Sequence, residues 1–244
     1  MTGAVAACGG GPRGPSNDVI QRVLTGAPGE AQPSRIVATE IAFARAAREE
    51  GQWTAFEEFA APGGLIHGRN GPVDAIAFAS ALKDPAEAVQ WGTRAIWMSC
   101  DGGMAVSQGR FRDPQGIIGT YITVWERGAD GQYRYTYDVG SHDDPQPPPR
   151  EAPREGEIVV TAMDSVRADI ADCARRGETV PAPPPVIIGE GYSEGVKLSR
   201  DGTLRWRWLH YDDGRRRVVA DYLSNGSWQV ALDEFMPVTP GSRE

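Results

Sequence analysis

The chain has 244 residues, of which 40% are hydrophobic and 24% are charged, a composition typical of folded globular proteins. Its formal net charge of −8 argues against binding to nucleic acid or directly to an anionic membrane surface, because both would repel an acidic protein. No segment approaches the roughly 20 consecutive apolar residues that a membrane-spanning helix needs.

The first feature along the chain is a run of small residues around Cys8. Val5–Cys8 reads VAAC, which has the form of a bacterial lipoprotein cleavage site with the cysteine as the lipidated residue. Only MTGAVAA precedes Cys8, whereas a signal peptide needs a basic start and an apolar core of about 7–15 residues. We favour lipidation of Cys8, with residues 1–33 as a disordered tether and a periplasm-facing position in the bacterial cell envelope. The alternative is an accidental match in a cytoplasmic protein.

Three helices are predicted in the first third of the chain. The first begins with Ser34 as its N-cap and ends at Gly51. A second over 54–61 starts with a capping box, and a third over 72–82 has a proline in its first turn. The residues expected to face inward are Val37, Ile41, Ala44 and Ala47 in the first helix and Val73, Ile76, Ala77 and Ala81 in the third.

From residue 88 the apolar period shortens towards two, which is typical of strands. A short strand, GGLIHG, carries His67 before this point. Helices followed by an antiparallel meander predict an α+β domain whose sheet wraps around the first helix and holds any pocket on its concave face. The four strands of the meander are predicted at 89–99, 103–111, 117–128 and 132–140.

The last two of these strands carry a recognisable pattern. Gly-x-Tyr-x-x-x-Trp is followed by Asp-Gly-x-aromatic and then by Asp-x-Gly. The matching positions are Tyr121, Trp125, Asp130, Gly131, Tyr133, Asp138 and Gly140. This order resembles the SnoaL-like branch of the nuclear transport factor 2 superfamily over residues 34–142. The resemblance implies a cone of three N-terminal helices on a curved antiparallel sheet, with an open pocket and often a homodimer. That superfamily includes ketosteroid isomerases, polyketide cyclases, epoxide hydrolases and members without catalysis.

A proline-rich stretch divides the chain. We predict a cone domain at 34–144, a semi-rigid linker at 145–156 and a β-rich C-terminal region at 157–244. Asp-Gly and Asn-Gly turns predict that this region ends in a four-stranded antiparallel meander. Its second strand has an aromatic face of Leu204, Trp206, Trp208 and His210, expected to bury against the first domain or a second subunit. The opposite face is cationic and contains Arg205, Arg207, Leu209 and Tyr211, to which Arg216 would add.

Two cysteines and three histidines remain to be interpreted. Cys100 and Cys173 can pair in an oxidising periplasm, but we prefer two unrelated half-buried thiols, because the sequence does not place their Cα atoms within bridging distance. His67, His142 and His210 are far apart in sequence and no CxxC occurs. The sequence therefore predicts no metal site and no cofactor.

Asp138 and His67 are the candidate catalytic residues, because a carboxylate or an imidazole in the pocket can move a proton. For both we favour the more ordinary role, a strand-end carboxylate for Asp138 and a hydrogen-bonded structural imidazole for His67. An aromatic wall would bind a ligand, although plain core packing also accounts for these side chains. The residues of this wall are Trp97, Tyr121, Trp125 and Tyr137.

Three functions stay open. We favour a non-catalytic envelope protein that binds a small apolar molecule, which requires an open cavity of roughly a few hundred cubic ångströms. An isomerase, cyclase or dehydratase that uses Asp138 or His67 is the first alternative. The second is a structural or partner-binding lipoprotein, for which we expect Trp206 or Trp208 to be exposed.

Overall fold

The computed structural model describes residues 30–148, 165–174, 177–185 and 192–238. Cys8, the predicted tether up to residue 29 and the predicted linker from residue 149 onwards lie outside the described residues. Among the helices of the described ranges, none has the length and apolar character needed to cross a membrane.

The described residues form three helices and eleven strands. The helices are α1 (Pro33–Glu49), α2 (Gln52–Phe59) and α3 (Ala75–Ser80). The strands are β1 (Ala60–Gly68), β2 (Gly71–Asp74), β3 (Gln90–Met98), β4 (Met104–Arg112), β5 (Ile118–Arg127), β6 (Tyr133–His142), β7 (Arg167–Ile170), β8 (Tyr192–Leu198), β9 (Leu204–Tyr211), β10 (Arg216–Ser224) and β11 (Ser227–Met236). The predicted α+β class is confirmed, and the predicted strands of both meanders lie within a few residues of the observed ones.

The strands form two sheets. The first has seven strands in the order β2-β1-β6-β5-β4-β3-β7, and the second has four in the order β11-β10-β9-β8. The second sheet is antiparallel throughout, as predicted. In the first sheet, β1 with β6 and β3 with β7 are parallel pairs. Because β7 comes from the predicted C-terminal region, that region adds a strand to the first sheet.

The molecule has three layers, with the seven-stranded sheet in the middle. Its helix-facing side packs on α1 and α2 through an aromatic core that includes Phe43 and Trp125. Its other side packs on the second sheet through a core that includes Tyr137, Trp206 and Trp208. The predicted aromatic face is therefore buried against the first sheet. Trp206 and Trp208 are only 5% and 9% exposed, so the expected exposure of these indoles is wrong.

α1 differs from its prediction in its start and in its buried face. The helix begins at Pro33 after Gln32, one residue before the predicted N-cap Ser34. Ala44 and Ala47 are buried as predicted, but the predicted inward residue Ile41 is 63% exposed, and Ile36, Glu40 and Phe43 complete the buried stripe. The helix is therefore rotated about its axis relative to the prediction. Burial of the large Phe43 ring against the sheet fixes this orientation, because residues spaced by three or four share one helix face.

α2 is capped by a side chain from a distant part of the chain. It starts at Gln52 rather than at the predicted capping box, and it follows Gly51, whose φ is +133°. The Asp84 carboxylate accepts hydrogen bonds from the backbone N–H of Trp53 (2.5 Å) and Thr54 (3.2 Å) and from the Thr54 hydroxyl (2.7 Å). These bonds satisfy N–H groups that the first turn of a helix leaves unpaired.

The predicted third helix is partly a strand. Pro72 and Val73 belong to β2, an edge strand, where the missing proline N–H breaks no ladder bond. α3 then begins after Asp74, whose side chain accepts from the backbone N–H of Ala77 at 2.8 Å. Ile76 packs against the core as predicted, but Val73, Ala77 and Ala81 are exposed, so most of the predicted inward face of this helix is wrong.

The cationic face of the second sheet also needs correction. Arg205 is buried and forms a 2.7 Å ion pair with Asp221. Arg216 lies opposite His210 in the register, so it belongs to the aromatic, inward face. Hydrophobic alternation assigns a residue to a face only when the register between strands is known.

Cys100 and Cys173 form a disulfide, with their Cα atoms 5.2 Å apart, so the preferred interpretation of unpaired thiols is wrong. Parallel pairing of β7 with β3 brings the two cysteines together. The backbone N–H of Ala171 donates to the carbonyl of Met98 at 2.9 Å, which extends this pairing up to the bridge.

Candidate functional site

A cavity of about 330 Å³ opens between the helices and the helix-facing side of the seven-stranded sheet. The described residues therefore contain the open cavity that a binding function requires. Its walls are aromatic, with Phe43, Trp53, Phe56, Trp91, Phe111 and Tyr121. Its polar lining residues are Gln52, Arg69, Thr123, Asp138, Ser141, His142 and Arg216.

A β-bulge decides which side chains of β6 face this cavity. The pairing of β6 with β5 skips Thr136, so this residue is extra and the alternation of faces shifts at it. Tyr135 faces the helices, whereas Tyr137 lies in the core between the sheets. Asp138, the next residue, therefore lines the cavity.

A second bulge, in β3, likewise changes which side chains of that strand face the cavity. The register with β4 shifts between Thr93 and Ala95, which leaves Arg94 as the extra residue. Trp91, before the bulge, lines the cavity, and Trp97, after it, lies in the core between the sheets. Of the predicted ligand-binding residues, Tyr121 alone lines the cavity; Trp97, Trp125 and Tyr137 are core residues.

Asp138 is a half-buried carboxyl group in the cavity wall. It lies directly opposite Thr123 in the register, and the Thr123 hydroxyl donates to its Oδ2 at 2.6 Å. Burial raises the pKa of Asp138 to about 7, the Thr123 hydrogen bond opposes this effect, and the charge of Glu40 adds to it. Near neutral pH this group can therefore accept or donate a proton.

Tyr121 connects the cavity wall to Glu40, which is only 3% exposed. The Tyr121 hydroxyl donates to Glu40 Oε2 at 3.3 Å and lies 3.0 Å from the Thr93 hydroxyl oxygen. Burial, and then the charge of Glu40, raise the pKa of Tyr121 above its usual range, so the hydroxyl keeps its proton. The predicted rotation of α1 turned Ile41 inward, and for this reason the sequence did not indicate Glu40.

His67, the other catalytic candidate, lies outside the cavity lining. Its Nδ1 is 2.7 Å from the Tyr137 hydroxyl oxygen, and its Nε2 is 3.0 Å from His210 Nδ1. Burial lowers the pKa of His67 to about 3, with smaller effects from the charges of Arg216 and His210. His67 is therefore a neutral side chain that connects the two sheets.

The C-terminal region completes the cavity. Arg216 of β10 is buried at the wall, and its Nη1 donates to the carbonyls of His67 (3.0 Å) and Gly140 (3.3 Å). Pro237 and Val238, which follow β11, also line the cavity. The Ser141 hydroxyl donates to the Pro237 carbonyl at 2.9 Å and holds this segment in place. The described ranges contain no group of three or more His, Cys, Asp or Glu side chains that could hold a metal ion.

No profile of a known protein family matches the chain, and no curated protein sequence is significantly similar to it. Solved structures with a related arrangement include a proposed ketosteroid isomerase from Parabacteroides distasonis, at 14% identity and a TM-score of 0.37 over 45% of this chain and 89% of that one. ActVI-ORFA from Streptomyces coelicolor has 14% identity and a TM-score of 0.36 over 46% and 97% of the two chains. Nuclear transport factor 2 from Cryptosporidium parvum has 9% identity and a TM-score of 0.35 over 45% and 94%. At identities of 9–14% and TM-scores of 0.35–0.37, these likenesses assign neither a family nor an activity.

Proposed function

We propose that the cavity binds a small, flat, mostly apolar ring compound with one polar group that meets Asp138. The observation that carries this proposal is the composition of the wall: aromatic rings surround one carboxyl group among the described lining residues. The rings favour a ligand with an aromatic or alicyclic face. A buried polar group needs a hydrogen-bond partner, so the ligand must offer a hydroxyl to the Asp138 carboxylate or a carbonyl to its protonated form.

Titration with 2-naphthol tests this proposal, because the probe is flat and apolar and carries one hydroxyl. Trp53 and Trp91 line the cavity, so binding should quench tryptophan fluorescence in a saturable way. A leucine at Gly140 would project into the cavity and should weaken binding by about tenfold or more. Gly92 is exposed, with no atom within 4 Å of an added Cβ, so Gly92→Leu is the matched control and should bind like the wild type. Equal quenching in both variants would overturn the proposal.

Asp138 itself favours a second function, proton transfer at carbon. Its carboxylate can take a proton from the carbon next to a ligand carbonyl. It can return that proton to another carbon, as an isomerase requires, or give it to a departing hydroxyl group that leaves as water, as a dehydratase requires. A pKa of about 7 makes both forms available at neutral pH. 2-Tetralone in D2O tests this function by NMR, because each transfer exchanges a C–H for C–D. We expect faster exchange with the wild type than with Asp138→Asn. Equal rates, with 2-naphthol still bound, would leave binding as the function.

We further propose the cell envelope as the compartment, with a lipid on Cys8. The Cys100–Cys173 disulfide supports this proposal, because disulfides persist in oxidising compartments. Mass spectrometry of the denatured protein recovered from its source should find a lipid-sized increment on the N-terminal fragment that contains Cys8. An unmodified Cys8 in protein from the cytoplasmic fraction would overturn it.

A further inference from the structure

We infer that Glu40 is a positioning residue, which holds Tyr121 in the cavity wall and whose charge acts on the neighbouring carboxyl group of Asp138. The inference rests on the proposed function, since it concerns the polar group that would meet the ligand. Its basis is a convergence of hydrogen bonds on a carboxylate that α1 buries against the sheet.

Three donors from two strands point at the Glu40 carboxylate. The Ser107 hydroxyl of β4 donates to Oε1 at 2.5 Å, and the Trp125 indole N–H of β5 donates to the same oxygen at 3.1 Å. The Tyr121 hydroxyl donates to Oε2 at 3.3 Å. Hydrogen bonds that donate to a carboxylate favour its ionised form. The geometry therefore assigns the negative charge to Glu40 even though burial raises its pKa.

An apolar residue at position 40 would pack α1 on the sheet without the cost of burying a carboxylate. Unlike an apolar residue, the Glu40 carboxylate accepts a hydrogen bond from the Tyr121 hydroxyl. With its bonds to Glu40 and Thr93, Tyr121 has its ring fixed in the cavity wall. Gly109 makes room for this ring, because a Cβ at that position would collide with it.

The charge of Glu40 also acts on Asp138. Both carboxyls lie on the helix-facing side of the sheet. Tyr121 and Trp125 of β5 donate to Glu40, and Thr123, which lies between them on the same face of β5, donates to Asp138. Hydroxyl and indole groups surround the pair, from Trp91 and Thr93 of β3, Ser107 of β4, and Tyr121, Thr123 and Trp125 of β5. The cationic groups of the cavity are Arg69 and Arg216, and His142 adds an imidazole whose Nε2 lies 3.0 Å from Asp113 Oδ2. The charge of Glu40 raises the pKa of Asp138, in addition to burial. Glu40 thus adds to the effect of burial, which is the larger cause of the raised pKa of Asp138.

Carbon-13 NMR titration of the Asp138 carboxyl, assigned with Asp138→Asn, tests the inference without any ligand. In Glu40→Gln we expect the pKa of Asp138 to fall by about one unit, the scale of a nearby like charge in a protein interior. Glu49→Gln removes the same charge from an exposed position of α1 and should leave Asp138 unchanged. An unchanged pKa of Asp138 in Glu40→Gln would overturn the inference.

If Glu40→Gln does not fold, the titration curve of Asp138 in the wild-type protein tests the inference instead. Two coupled carboxyls titrate in two steps, so the Asp138 signal should also respond at the pH where Glu40 titrates. A single step in the Asp138 signal, at whatever pH it occurs, would overturn the coupling. The 2-naphthol titration is separate from this measurement. A shifted pKa without 2-naphthol binding contradicts the proposed function alone, and binding without the shift contradicts the role of Glu40 alone.

Discussion

Replacement of Asp138 by asparagine should stabilise the protein at alkaline pH. Burial raises the pKa of this carboxyl to about 7 in the folded state, against an ordinary value of 3.8. A carboxyl whose pKa is raised by folding binds its proton more tightly when folded. The contribution of Asp138 to the free energy of unfolding is therefore greatest below pH 3.8 and falls as the pH rises towards 7. Asparagine has nearly the same shape and no charge to bury, so the variant should lack this fall.

The size of the effect follows from the difference between the two pKa values. About three pH units correspond to about 4 kcal/mol of lost stability at pH 8, which is an upper limit. Asp138 reaches the cavity surface, where water screens part of its charge, and the asparagine must replace the carboxylate as the acceptor for the Thr123 hydroxyl. We expect the variant to be more stable than the wild type by about 2 kcal/mol at pH 8 after these losses.

Urea unfolding of both proteins between pH 4 and pH 8, followed by circular dichroism, measures this difference. The difference should be small at pH 4 and grow as the pH rises. Asp130→Asn is the control: this exposed turn carboxylate is hydrogen-bonded to Arg134, which holds its pKa below the ordinary value, so its replacement should destabilise at neutral pH. A difference between Asp138→Asn and the wild type that does not change with pH, or a less stable variant at pH 8, would refute a raised pKa for Asp138.

Two further experiments test His67, which lies in the core between the two sheets, and the disulfide between Cys100 and Cys173. Burial lowers the pKa of His67 from 6.5 to about 3, so the stability it contributes is complete above pH 6.5 and is lost as the pH falls towards 3. The effect of Asp138 on stability changes with pH in the opposite direction and would mask that of His67. In Asp138→Asn the free energy of unfolding should therefore fall below pH 6.5, by up to about 1.4 kcal/mol per pH unit. A free energy of unfolding that stays constant over this range would contradict a buried neutral His67. The Cys100–Cys173 bridge spans 73 residues, so chain entropy predicts that Cys173→Ser lowers the free energy of unfolding by about 4 kcal/mol in urea. A variant as stable as the wild type under non-reducing conditions would contradict this bridge.

The sequence was sufficient for the order and type of most elements, because local signals determine them. The Asp-Gly and Asn-Gly turns of the second sheet place glycines at positive φ, as Gly202, Gly214 and Gly226 show, and such turns define hairpins without reference to the rest of the chain. Alternation then identified the aromatic face of β9, whose pattern has no bulge.

The composition of the site was much harder to predict, because it depends on single extra residues within strands. Simple alternation puts Trp91 and Trp97 on one face of β3, and the bulge at Arg94 separates them. The bulge at Thr136 separates Tyr135 from Tyr137 in the same way. No local signal in these segments distinguishes a bulged strand from a regular one, since bulges are set by pairing with a neighbour.

Glu40 illustrates a second kind of limit. A glutamate on a helix is normally a surface residue, and the cost of burying it is offset only by partners that the helix itself does not contain. Ser107, Tyr121 and Trp125 supply the partners from strands that lie 67–85 residues further along the chain. Only the assembled sheet brings these donors together.

The second sheet contributes both to the core and to the cavity. It covers the face of the first sheet that is opposite the helices, with Trp206 and Trp208 packed against Tyr137 and its neighbours. Self-association would therefore have to use another surface. The same region reaches round to the cavity, where Arg216, Pro237 and Val238 form part of the wall. The cavity is thus built by both parts of the chain, and the C-terminal region contributes to the proposed ligand site as well as to the core.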